Sequence, residues 1–170
     1  LTLTQGTNLI FHASEFQVTQ AGQNKIEIIN TNNDADGSIL RFVKDKGAAG
    51  ADNDVSGQIE FYADDDIQTQ TLFARIQGVV KDASNGAEEG KLTLSVASHD
   101  GELQPGITIE SGNVEDEVDV TLGKGGASIT QVNGVLSVGA SVQVGTGLHF
   151  SGTDGGAQSF LMVMIILLHL

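Results

Sequence analysis

Apolar side chains recur at every second position along most of this chain, and Gly, Asn and Asp gather in the gaps between those runs. Leu92, Leu94 and Val96 alternate with Lys91, Thr93 and Ser95; Ile59 and Phe61 alternate with Gln58 and Glu60; Ser38, Leu40 and Phe42 alternate with Ile39 and Arg41. The same spacing holds for Ile107 and Ile109, for Val118, Val120 and Leu122, and for Val138, Ala140, Val142 and Val144. Successive side chains of a strand point to opposite faces, so this period marks antiparallel strands with one buried and one wet face. The intervening clusters, Asn32 to Gly37, Asp52 to Gly57, Asn85 to Gly90, Asp100 and Gly101, Ser111 to Asn113 and Gly123 to Gly126, carry turn chemistry. No window of twelve residues shows a capped helical period, and the nearest, Asp82 to Glu89, is interrupted by Ser84, Asn85 and Gly86. The fold class is all-β, with antiparallel strands joined by Gly, Asn and Asp turns.

Charge narrows the partners. Twenty-two acidic residues against 8 basic ones leave a formal charge of −14, so the chain has few cations with which to neutralise phosphates. Nucleic acid and anionic membrane surfaces are excluded as partners on that ground. Zero Cys removes disulfides, thiolate nucleophiles and Cys-based zinc sites together. Leu, Ile, Val and Phe number 50 of 170, enough for a folded core, while Gly at 22 and a single proline, Pro105, describe a turn-rich chain. Leu1 stands where Met would open a full gene product, as expected of a fragment or a processed piece. No secretory leader is visible there.

Composition also shifts along the chain. Residues 1–120 read as a β-rich module with acidic turns. Residues 121–170 read as a thin Gly-, Ser- and Val-rich shaft segment with an anomalous apolar tail. Small side chains at alternating positions let backbones approach closely, and such a strip buries little apolar area alone. It gains an interior from identical partners.

One repeat is visible at a period of 20: Asn32 to Ile39 aligns with Asp52 to Ile59, with identity at the second, third, sixth and eighth places. Each copy is a polar turn ending in Gly. Two copies are fewer than a self-sufficient solenoid needs. The same turns supply a metal candidate, because N-x-D-x-D-G and D-x-D-x-S-G open like an acidic calcium loop. The twelfth position of such a loop is a bidentate Glu, but here it is Val43 or Ala63, so the full loop fails. Asx-type turns are the favoured reading, with a loose structural calcium site on Asn32, Asp34, Asp36, Asp52 and Asp54 as the alternative. No other cofactor is implied.

The remaining constellations reduce to structure. Asp64 to Asp66 and Glu115 to Glu117 lie at strand ends, where charges are solvated and discourage edge pairing. Ser98, His99 and Asp100 are neighbours, whereas a catalytic triad needs three side chains that converge. His12, His99, His149 and His169 lack metal-ligand spacing, and Gly123 to Gly126 lacks the order of a phosphate loop. Sugar hydrolysis needs two carboxylates at a set separation, and no pair stands out among 22. The chain is therefore expected not to be an enzyme.

The tail from Phe160 to Leu170 has eleven residues, too few to span a bilayer as a helix, so no membrane span is expected. Three readings remain for it: a buried strand at a subunit seam, an interfacial anchor, or a foreign terminus. The third rests on the observation that codons such as TTA ATG GTG ATG ATA ATT, one encoding of Leu161 to Ile166, contain AAT GGT GAT GAT AAT in another frame. That frame encodes Asn, Gly, Asp, Asp and Asn, the turn chemistry of the rest of the chain, so a frame slip near Gln158 would account for the tail.

From Gly57 to Leu94 the chain contains G-Q-I-E-F-Y-A-D-D-D and then L-F-A-R-I-Q-G-V-V-K-D-A-S-N-G-A-E-E-G-K-L-T-L. This resembles a module of bacteriophage tail-fibre and related virion proteins, on Gly57, Ile59 and Phe61, on Phe73 to Ile76, and on Asp82 to Leu94. Ile129 to Val144 is similar to fibre shaft segments of such proteins. The resemblance covers about half the chain and has no catalytic content. It implies an elongated homotrimeric β-rich shaft, or shaft-borne domain, in an extracellular virion, in contact with other virion proteins and supporting attachment to a host surface receptor or glycan. A receptor-binding tip and an N-terminal attachment region are not recognisable, which leaves a middle piece or a capsid-borne fibre. A tailspike-like glycan depolymerase, or a bacterial surface adhesin or capsid decoration fibre, is the alternative.

Overall fold

Between Val55 and Leu122 the alternation becomes a ladder. A computed structural model describes residues 15–144. It contains five strands: β1 (Val55–Asp64), β2 (Gln70–Asp82), β3 (Glu89–Ala97), β4 (Leu103–Ser111) and β5 (Val118–Leu122). They form one open sheet in the order β1-β2-β3-β4-β5, each strand antiparallel to its neighbours in sequence. Among the described residues there is no helix. The fold is all-β, as the periodicity predicts.

The turn clusters close the hairpins. Between β1 and β2, Asp65 Oδ1 accepts from the backbone N–H of Ile67 (2.9 Å) and Thr69 (2.8 Å). Between β2 and β3, Asp82 Oδ1 accepts from Ser84 N–H at 2.7 Å, and Gly86 takes φ +83°, a conformation that a Cβ disfavours. Ser98 to Gly101 closes β3 onto β4 through Gly101 N–H to Ser98 O at 2.9 Å. Between β4 and β5, Glu117 Oε2 accepts from Asn113 N–H (2.7 Å) and Val114 N–H (3.1 Å). Carboxylates that accept neighbouring N–H groups pin three of the four reversals locally, and in the β3–β4 turn Asp100 accepts from the Ser98 hydroxyl instead.

Two alternating runs do not become strands. Ser38, Leu40 and Phe42 lie in residues 15–50, which hold no helix or strand, and Val138 to Val144 likewise stay outside any ladder. Alternation marks which side chains would share a face, but a strand also needs a neighbour for its backbone N–H and C=O groups. Within the described chain neither run has one. The two copies of the repeat differ accordingly: the second feeds β1, and the first feeds no strand.

The chain divides into two units, Leu1–Thr130 and Gln131–Leu170. The first carries the whole sheet, and β5 runs across residue 120, where the composition changes. In the second, described residues 131–144 are exposed, Val135 to 94%. The apolar tail from Phe160 to Leu170 lies outside the described residues. Among those described, no helix is long and apolar enough to cross a membrane.

Candidate functional site

Register turns five separate alternations into one surface. Ile59 stands opposite Ile76, Ile76 opposite Leu94, Leu94 opposite Ile107 and Ile107 opposite Leu122. One residue row further along, Gly57, Gly78, Leu92, Ile109 and Val120 line up in the same way. Paired residues share a face, so Ile59 and Phe61 of β1, Ala74 to Val80 of β2, Gly90 to Val96 of β3, Ile107 and Ile109 of β4, and Val118 to Leu122 of β5 contribute alternate side chains to one side. Those side chains are apolar or absent, and the polar members of the same side are uncharged: Gln104 opposite Val96 and Ser111 opposite Val118.

The opposite side mixes charged and polar residues with Val55, Val79, Leu103 and Pro105, and most of its charges pair with one another, although Arg75 Nε is buried without a partner. Arg75 Nη2 pairs with Glu60 Oε1 at 2.8 Å, Gln77 Nε2 donates to Gln58 Oε1 at 2.9 Å, and Lys81 Nζ pairs with Glu89 Oε2 at 3.0 Å. Lys81 Nζ also donates to the Ser111 carbonyl at 2.6 Å. Glu89 holds the Lys81 ammonium above its ordinary pKa, and Lys81 in turn holds the Glu89 carboxyl below its own.

No hydrophobic side chain is buried among the described residues. Ile76, Leu94, Ile107 and Ile109 in the middle strands are half-buried by their neighbours, whereas Val96 (58%), Val118 (65%), Val120 (59%) and Leu122 (53%) stand exposed. With strands about 4.8 Å apart and about 3.3 Å of rise per residue, the apolar face has a flat footprint on the order of 500 Å². That is at the upper end for a patch on a lone soluble protein and approaches the ~800 Å² each partner gives to a stable interface. Covering a half-exposed Val, Leu or Ile gains about 1 kcal/mol. Summed over the face, this gain is of the same order as the ~4–15 kcal/mol that association costs.

A notch interrupts the face where Gly57 and Gly78 stand opposite each other. Phe42, from the segment before the sheet, lies over Gly57: a Cβ placed there would come within 2.5 Å of Phe42 Cβ and 2.8 Å of its Cγ. Ser56, Ile59, Ile76 and Leu92 complete the surround. Two glycines in the middle of alternating strands are the sequence signal for this notch, and sequence reasoning passed over it because register was needed to pair them.

The predicted calcium residues separate into two turns. In the first, Asn30 Oδ1 accepts from Asn32 N–H at 2.9 Å and Asp34 Oδ1 from Asp36 N–H at 3.1 Å, while Asn30 Nδ2 donates to Asp36 O at 2.8 Å. In the second, Asp52 Oδ1 accepts from Ala83 N–H at 2.9 Å, and Asp54 Oδ2 takes Ala51 N–H and Lys46 Nζ, each at 2.9 Å. Lys46 first, then Ala51 N–H, keeps the Asp54 carboxyl below its ordinary pKa. These oxygens cap turns, and Asp52 ties its turn to the end of β2. Among the described residues no group of three or more His, Cys, Asp or Glu is placed to hold a metal ion. Ser98 Oγ donates to Asp100 Oδ1 at 2.7 Å within its turn. Comparison with protein families, curated proteins and solved structures yields no match for this chain.

Proposed function

We propose that the chain is a non-enzymatic structural component of a bacteriophage virion, a tail-fibre shaft or shaft-borne domain that assembles as a homotrimer and supports host attachment. The observation that carries this reading is a single sheet with one uncharged, largely apolar face and no buried hydrophobic side chain among the described residues. A subunit of this kind completes its interior only in an assembly. Of the segments that resemble fibre proteins, the module segments fall in the sheet, with Gly57 to Phe61 in β1, Phe73 to Ile76 in β2 and Asp82 to Leu94 forming the turn into β3, while the shaft-like Ile129 to Val144 lies in no strand. The work assigned to it is mechanical, holding a soluble rod outside the particle, and the acidic surface keeps rods apart.

Two measurements test the reading. Native mass spectrometry of the full chain is expected to give three times the 17.7 kDa subunit mass. Antibodies against it are expected to decorate filaments on particles from the source culture. A stable monomer, or particles that carry no label, would overturn the reading.

A further inference from the structure

The apolar face is also specific about what can cover it. Phe42 lies at its β1 side, over the Gly57 notch, and the β3 to β5 side is where Val96, Val118, Val120 and Leu122 are more than half exposed. That side is an open sheet without walls, so it cannot enclose a small apolar ligand. A cationic partner has nothing to grip there, because no acidic side chain stands among its apolar positions. Two copies meeting through the acid-rich turns of the sheet bring like charges together, whereas contact through the apolar face, which carries no charged side chain, keeps those charges outward.

We propose that the β3 to β5 half of this apolar face is the surface through which one copy of the chain packs against a second copy. The inference rests on the fibre reading in its premise that copies assemble, and it adds which surface they use. The charged remainder of the subunit, both the acid-rich turns and the ion-paired side that carries Arg75, Lys81 and Glu89, stays in water.

Two variants on adjacent residues of β5 separate the faces. Val120 belongs to the apolar side and Thr121 to the polar side. In light scattering of the full chain, wild type and Thr121→Asp are expected to run as the same multimer, and Val120→Asp as a monomer that keeps its far-ultraviolet β-signal. Because Val120→Asp could fail to fold, Val120→Cys and Thr121→Cys give an independent reading in a chain with no native cysteine. Maleimide labelling of Val120→Cys is expected to be at least about tenfold slower than that of Thr121→Cys, since access controls thiol reaction. A wild-type monomer would overturn the inference together with the trimer. A Val120→Asp chain that stays multimeric, or equal labelling rates, would overturn the surface assignment alone. Unlabelled virions with an intact multimer would overturn the fibre reading alone.

Discussion

A methyl group at Gly57 would collide with Phe42, and this contact ties the segment before the sheet to β1. Gly57→Ala is expected to lower stability by about 1 kcal/mol, because Phe42, Cβ and ring together, must move away from the new methyl. Thermal melts of Gly57→Ala, Phe42→Ala and the double variant check this: the double variant should melt below Phe42→Ala alone, because alanine keeps the Cβ that the new methyl meets at 2.5 Å. Asp54 is tied just as locally, to Lys46 and Ala51. Asp54→Asn is expected to lower the melting temperature, while added calcium or a chelator shifts neither chain. A calcium-dependent rise in the wild-type melt would favour the loose metal site instead.

At the scale of strands and turns, the groups with displaced pKa values gather at strand ends. Lys46 lowers Asp54 before β1, Ser84 lowers Asp82 after β2, Lys81 lowers Glu89 at the start of β3, and Ser98 lowers Asp100 in the next turn. A carboxyl whose pKa is depressed by folding contributes stability that is full above its unfolded value and lost as pH falls through its folded one. Melting temperature is therefore expected to drop once pH goes below the ordinary carboxylate range of about 4. Lys81 has the opposite sign: its contribution is full below the unfolded lysine value and disappears as pH rises through its raised folded value. A melt series across pH should show both shoulders, and Lys81→Met should remove the alkaline one. Asp65→Ala, which strips two N–H groups of their acceptor in the β1–β2 turn, is expected to cost about 1 kcal/mol by denaturant titration.

The same scale shows what the sequence made legible. The inner faces of β1, β3, β4 and β5 follow directly from alternation, and the turns from Gly, Asn and Asp, because both are local, whereas β2, with Leu72 beside Phe73 and Val79 beside Val80, shows no clear alternation. Ser38 to Phe42 shows an equally clear period yet lies in no strand, since pairing depends on a neighbour that local pattern does not specify. The Gly57–Gly78 notch and the continuity of the apolar face required register, which is a property of strand pairs. Lys46 as the partner of Asp54 was hidden for the same reason, eight residues away across a turn.

For the whole molecule, charge and apolar area oppose each other. Copies carrying −14 repel until they are close, and salt shortens that repulsion from a range of about 30 Å at 0.01 M to about 8 Å at 0.15 M. Raising ionic strength over that interval is expected to lower the protein concentration at which multimers form, as read by light scattering. An assembly held by ion pairs would instead loosen. The order of the sheet bears on how such a multimer is made. Each strand pairs only with the strand before and after it in the chain, so no reversal must wait for a distant segment to be synthesised. Hairpins can zip up one after another as the polypeptide leaves the ribosome, and only the final encounter between finished sheets depends on how many are present.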